Sequence, residues 1–99
     1  MSKKVIDKNE MLLEAKERLI SKGFKNEFKK DMDNLLLFVR PETMSNDVFK
    51  NECYKVREKY LNVSKQSNYD EFEKEIIFNS ANQVIEFMFK AYLTMCYYN

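Results

Sequence analysis

Histidine and tryptophan are absent from this 99-residue chain, glycine and proline occur once each, and cysteine occurs twice. Each scarcity closes a chemistry. Without histidine there is no Ser-His-Asp or Cys-His nucleophilic site, no His-containing zinc site, and no side chain that ordinarily titrates near neutrality. A single glycine excludes the GxGxxG and P-loop phosphate cradles, which need several. Cys53 and Cys96 lie far apart and outside any CxxC pair, too few for a four-thiolate metal site. They read as free thiols of a reducing cytoplasm rather than a disulfide framework. No cofactor and no metal are expected.

The lack of glycine and proline also bears on the fold. Strand-rich folds turn often, and turns favour those residues. Here Gly23 and Pro41 cut the chain into helix-sized pieces. The expectation is an all-α single domain spanning the chain: a four-helix bundle-like fold with a long, central, very apolar C-terminal helix, and residues 1–6 as a flexible arm. The opening MSKKVIDKNEMLLEAKERL is charged throughout and is not expected to be a secretory leader.

Four helices follow from the spacing of apolar residues. The first, from about Asp7 to Lys22, places Met11, Leu12, Ala15, Leu19 and Ile20 near one face, and Gly23 follows where a left-handed cap belongs. In the second, Phe24, Phe28, Met32, Leu35, Leu36 and Val39 step at helical spacing, although Leu35 to Val39 alone also reads as a buried strand. Arg40-Pro41 stops it, because the residue before proline is pushed out of the helical region. The third begins after PETMSND and carries Phe49, Cys53, Val56 and Tyr60 on its apolar face. Buried there, Cys53 reads as an inert thiol. The polar stretch NVSKQSNYD then leads to a fourth helix with an acidic start, which suits the positive end of the helix dipole.

That last helix has no break before the chain ends. If it runs to Tyr97 it extends roughly 42 Å, against roughly 22–26 Å for each of the others. Its second half is unusual in a chain that is 33% charged: from Val84 to Asn99 only Glu86 and Lys90 carry charge. The run is shorter than the roughly 18–20 apolar residues of a spanning helix, so no membrane insertion is expected. A helix apolar nearly all round is buried nearly all round. Either it is the central core helix of a monomer, or Phe87, Phe89, Tyr92, Met95, Tyr97 and Tyr98 form a partner or homodimer interface.

Charge offers less. The net charge of +1 is the mark neither of a general nucleic-acid binder nor of its acidic mimic, although the chain runs from mildly basic to mildly acidic. Lys22, Lys25, Lys29 and Lys30 cluster at the first corner, and Lys55 and Lys59 decorate the third helix. These six form the candidate nucleic-acid contact. The segment RPETMSND is longer than the turn of a helix-turn-helix, and interspersed acidic residues dilute the basic footprint. The carboxylates of YDEFEKE could share a proton or a cation, but an acidic first turn is the ordinary complement to a helix dipole.

In size, charge and helical character the chain is similar to cytosolic bacteriocin-immunity proteins and small phage proteins, a likeness of class that assigns no residue a role. The expected function is non-enzymatic protein binding, as an inhibitor, antagonist or immunity factor of a mobile element. The alternative is a small nucleic-acid-binding regulator using the Lys22–Lys30 corner and the third helix.

Overall fold

The computed structural model describes residues 7–98, with side-chain environments through residue 95; the expected N-terminal arm, residues 1–6, lies outside the described residues. Five helices follow one another: α1 (Lys8–Ser21), α2 (Phe24–Leu36), α3 (Pro41–Ser45), α4 (Val48–Val63) and α5 (Glu71–Tyr98). There is no strand among the described residues, and the all-α bundle-like expectation holds. The helix count differs by one, because the segment read as a linker winds into α3.

Local chemistry sets the boundaries. Asp7 caps α1, its side chain accepting from the Asn9 backbone N–H at 2.9 Å. The chain leaves α1 through Gly23, whose φ of +82° is left-handed. Its N–H closes on the Ile20 carbonyl, and its own carbonyl accepts from Glu27 in α2. One glycine therefore ends one helix and starts the next. The ambiguous Leu35–Val39 segment is not a strand: Leu37, Phe38 and Val39 each donate to the carbonyl three residues back, tightening the last turn of α2. Pro41 then occupies the first turn of α3, where its missing N–H costs nothing. Met44 anchors that short helix in the core.

The main seam is the antiparallel pair α4–α5. Phe49, near the start of α4, packs edge-on against Phe87 and Tyr92 of α5, with centroids 5.9 and 5.7 Å apart. Tyr60, near the end of α4, clusters with Ile77 and Ala81. Along α5 the buried line is Ile77, Ala81, Val84, Met88 and Ala91, alternating steps of four and three as in coiled-coil packing. Ala81 and Ala91 allow close approach of the neighbouring backbone. Fully burying a side chain such as Phe49, Leu19 or Val84 stabilises the fold by about 1.5–3 kcal/mol each.

Two clusters share this seam. One centres on Leu35, Met44, Phe49, Cys53, Val84 and Met88, the other on Leu19, Tyr60, Ile77 and Ala81. Phe28 and Val56 touch both. The chain is elongated, 63 × 26 × 18 Å with a radius of gyration of 16.8 Å, against about 13 Å for a compact chain of this length. Among the described residues no helix is long and apolar enough to cross a membrane.

A polar clamp docks α1 on α5. Asp70 and Glu73 form a reciprocal capping box: the Glu73 N–H donates to Asp70 Oδ1 at 2.9 Å, and the Asp70 N–H donates to Glu73 Oε1 at 3.1 Å. The buried Glu73 carboxylate also accepts from Lys22 Nζ at 2.7 Å, while Arg18 Nη2 donates to Asp70 Oδ2 at 2.6 Å. The hydrogen bond from the Glu73 backbone N–H, then the hydrogen bond and charge of Arg18, hold the Asp70 carboxyl below its ordinary range.

Glu73→Ala removes a cap and strands Lys22 and the Asp70 N–H, so it is expected to lower unfolding stability by about 2 kcal/mol; an unchanged urea midpoint would contradict the clamp. Because Asp70 is depressed in the folded state, its contribution is present above the unfolded value near 3.9 and is lost as pH falls through the lower, folded value. The stability difference between the parent and Asp70→Asn should therefore narrow below about pH 4. A difference that stays constant from neutral to acid pH would remove Asp70 from the account.

Candidate functional site

Because α5 buries one line of residues against α4 and α1, its opposite side faces water. Glu86, Lys90, Asn79, Asn82 and Gln83 are exposed there, and so are Phe89 and Leu93, which corrects the expectation that the second half of this helix is buried nearly all round. Along one edge of that outward side runs an apolar strip. Phe78 and Phe89 are separated by about three turns, Ile85 lies between them, and Leu93 is about one turn beyond Phe89. Phe89 and Leu93 are 58% and 61% exposed, Phe78 is 49%, and Ile85 is half-buried where the strip meets the core.

The sequence-expected interface residues divide between the two sides of the helix. Phe87 and Tyr92 turn inward onto Phe49, and the Tyr92 hydroxyl donates to the Met44 carbonyl at 3.5 Å. Burial first, then the nearby Asp47 carboxylate, raises the Tyr92 phenol above its ordinary value. Met95 is half-buried against the α4–α5 core. Of the four whose side chains are described, Phe89 alone faces outward; the side chains of Tyr97 and Tyr98 lie outside the described residues. Phe78 and Leu93 belong to the strip but not to the expected set. Helical spacing from Phe89 was the signal that could have found them.

The lysines do not form one cationic surface. Lys22 is held by Glu73, and Lys55 pairs with Glu52 at 3.2 Å. Lys59 bridges Glu27 at 2.9 Å and Asp31 at 2.8 Å, tying α4 to α2. The hydrogen bonds to Asp31 and then Glu27 raise the Lys59 ammonium. Asp31 also accepts from the buried Tyr60 hydroxyl. Burial alone would raise Asp31; the hydrogen bonds from Lys59 and Tyr60, with the Lys59 charge, more than offset it and leave the carboxyl below its ordinary value. Lys25, Lys29 and Lys30 remain exposed and in no ion pair among the described residues.

The remaining chemistry is sparse. A groove of about 380 Å³ between α1, α2 and α5 has Phe24, Phe28 and Ile76 in its lining, with Lys16, Lys25 and Gln83 as polar members. In YDEFEKE, Asp70 and Glu73 are taken up by the capping box and Glu75 pairs with Lys8 at 3.5 Å. Among the described residues no three His, Cys, Asp or Glu side chains gather as a metal site. Burial, then the Glu52 carboxylate, pushes the Cys53 thiol up to about 12.

That thiol should be inert while the chain is folded. Iodoacetamide at pH 8, read by peptide mass spectrometry, should modify Cys53 at least about 100-fold more slowly in buffer than in urea. Equal rates would show that the core opens readily at α4.

No protein-family model matches the chain, and neither the search of curated proteins nor that of solved structures finds a match.

Proposed function

We propose that this protein is a non-enzymatic, cytoplasmic protein-binding module whose docking face is the outward edge of α5: Phe78, Ile85, Phe89 and Leu93. The observation that carries this reading is the exposure of Phe89 and Leu93, 58% and 61%, on successive turns of the helix that also holds the core. Burying each in a complex contributes about 1.5–3 kcal/mol before ordering and association costs. Those costs are modest here, because the strip lies on a helix already fixed by its other face. Aromatic residues, backed by rigid structure and flanked by polar groups, are the usual anchors of protein interfaces. An inhibitor or immunity factor works by occupying another protein's surface, and such an edge suits that task. The buried free thiol of Cys53 suits a reducing compartment.

The nucleic-acid reading has less support. Lys22, Lys55 and Lys59 are engaged by carboxylates, and a footprint of about three lysines releases few counterions.

Two measurements test the proposal. Phe89→Glu/Leu93→Glu should keep the helical circular-dichroism signal and a cooperative melt within about 5 °C of the parent, as for surface substitutions. Loss of the fold would place the strip in the interior and overturn the reading. A labelled random duplex and a labelled single-stranded RNA should show no saturable anisotropy change near 0.15 M salt. Binding that disappears in Lys25→Glu/Lys29→Glu would favour the nucleic-acid alternative.

A further inference from the structure

We propose that the occupant of the α5 edge is a second copy of this chain, paired antiparallel about a two-fold axis beside Phe89. This rests on the docking-face reading above and names its partner. A two-fold interface uses the same patch on both copies, so the patch must complement itself. In an antiparallel helix pair centred on one residue, the position four before it faces the position four after it. With Phe89 at the centre, the two Phe89 rings meet, Ile85 faces the partner's Leu93, and Leu93 faces the partner's Ile85. Three of the strip's four apolar positions therefore meet apolar partners across the axis, and Phe78, eleven positions before the centre, lies beyond the overlap.

Charge selects the direction. Glu86 and Lys90 are both exposed, lie on the same flank of the strip, and join no ion pair among the described residues. Antiparallel two-fold pairing sets like flanks against each other. Glu86 then comes within two positions, about 3 Å along the axis, of directly facing the partner's Lys90. Both side chains can span that offset, and symmetry makes the contact twice. A parallel pairing sets each polar flank against the core-facing flank of the other helix and levels Glu86 with the partner's Glu86. The two opposite charges within one strip thus complement a reversed copy of themselves, which an arbitrary partner would not require.

Sedimentation equilibrium of the full chain over micromolar concentrations, with circular dichroism on each variant, tests this. The parent should dimerise, and Phe89→Glu should be a folded monomer. Glu86→Lys should weaken dimerisation about tenfold, because two attractive contacts become repulsive. Glu86→Lys/Lys90→Glu should return to within about threefold of the parent, because the reversed pair is again complementary. A parent that stays monomeric while Phe89→Glu/Leu93→Glu stays folded overturns the second copy and leaves the docking face standing for another protein. A dimer insensitive to Phe89→Glu places self-association elsewhere and overturns this proposal. Glu86→Lys without effect, or a charge swap that fails to restore pairing, overturns the antiparallel geometry. Unfolding of Phe89→Glu overturns both readings.

Discussion

A single mismatch of length governs this molecule. α5 has 28 residues, while α1, α2 and α4 have 14, 13 and 16. No one of them can cover a helix of roughly 42 Å, so coverage has to be assembled piecemeal. α4 lies antiparallel along the seam, with Tyr60 at one end and Phe49 at the other. α1 covers the first half of α5 around Leu19 and Ile77, and the short α3 inserts Met44 into the cluster around Phe49 and Met88. The result is long and thin. Its core runs along one side of α5, and the other side of that helix faces solvent for much of its length.

A thin core places weight on the polar contacts that fix how its helices cross. Two carboxylate nodes do this. Glu73 and Asp70 gather Arg18 of α1 and its cap residue Lys22 at the start of α5, and Asp31 and Glu27 gather Lys59 between α2 and α4. Both combine an ion pair with hydrogen bonds that satisfy a poorly hydrated group, the Glu73 carboxylate in one and the Tyr60 hydroxyl in the other. That combination makes such pairs structural, whereas an exposed pair such as Lys55–Glu52 contributes little. The same nodes consume two of the lysines that in sequence resemble a basic surface, Lys22 and Lys59. A cluster of cations along a chain is a footprint for an anion only if the fold does not already supply one.

Much of the fold was legible because it follows from local periodicity. On the apolar faces expected of the helices before α5, every large residue except Ile20 and Leu36 is buried or half-buried, and the limits of α5 were readable from an acidic start followed by an unbroken run. Less legible were features that depend on neighbours in space. α3 was missed because a five-residue helix has no amphipathic period; what holds it is Met44 reaching a core formed by other segments. Glu73 was read as part of an acidic first turn complementing the helix dipole, although its spacing from Asp70 is that of a capping box. Its burial comes from α1, half the chain away. The candidate site was half visible for a related reason. Composition shows that the end of α5 is apolar, but only the positions of α4 and α3 decide that Phe87 and Tyr92 turn inward while Phe89 and Leu93 turn out.

That division explains why the charged residues of α5 stand where they do. A helix with one face in a core and an apolar strip on the other side risks indiscriminate association, since apolar contact has no direction. Placing Glu86 and Lys90 beside Phe89 restricts which partners and which registers fit, because a misaligned surface must bury a charge or set like charges together. Both residues sit within one turn of the most exposed part of the strip, and farther back Asn79, Asn82 and Gln83 keep the rest of that side hydrated. The apolar edge supplies the driving force and the neighbouring charges supply the direction. The two can be combined on one helix because α5 is long enough to hold a core seam and a separate edge at the same time.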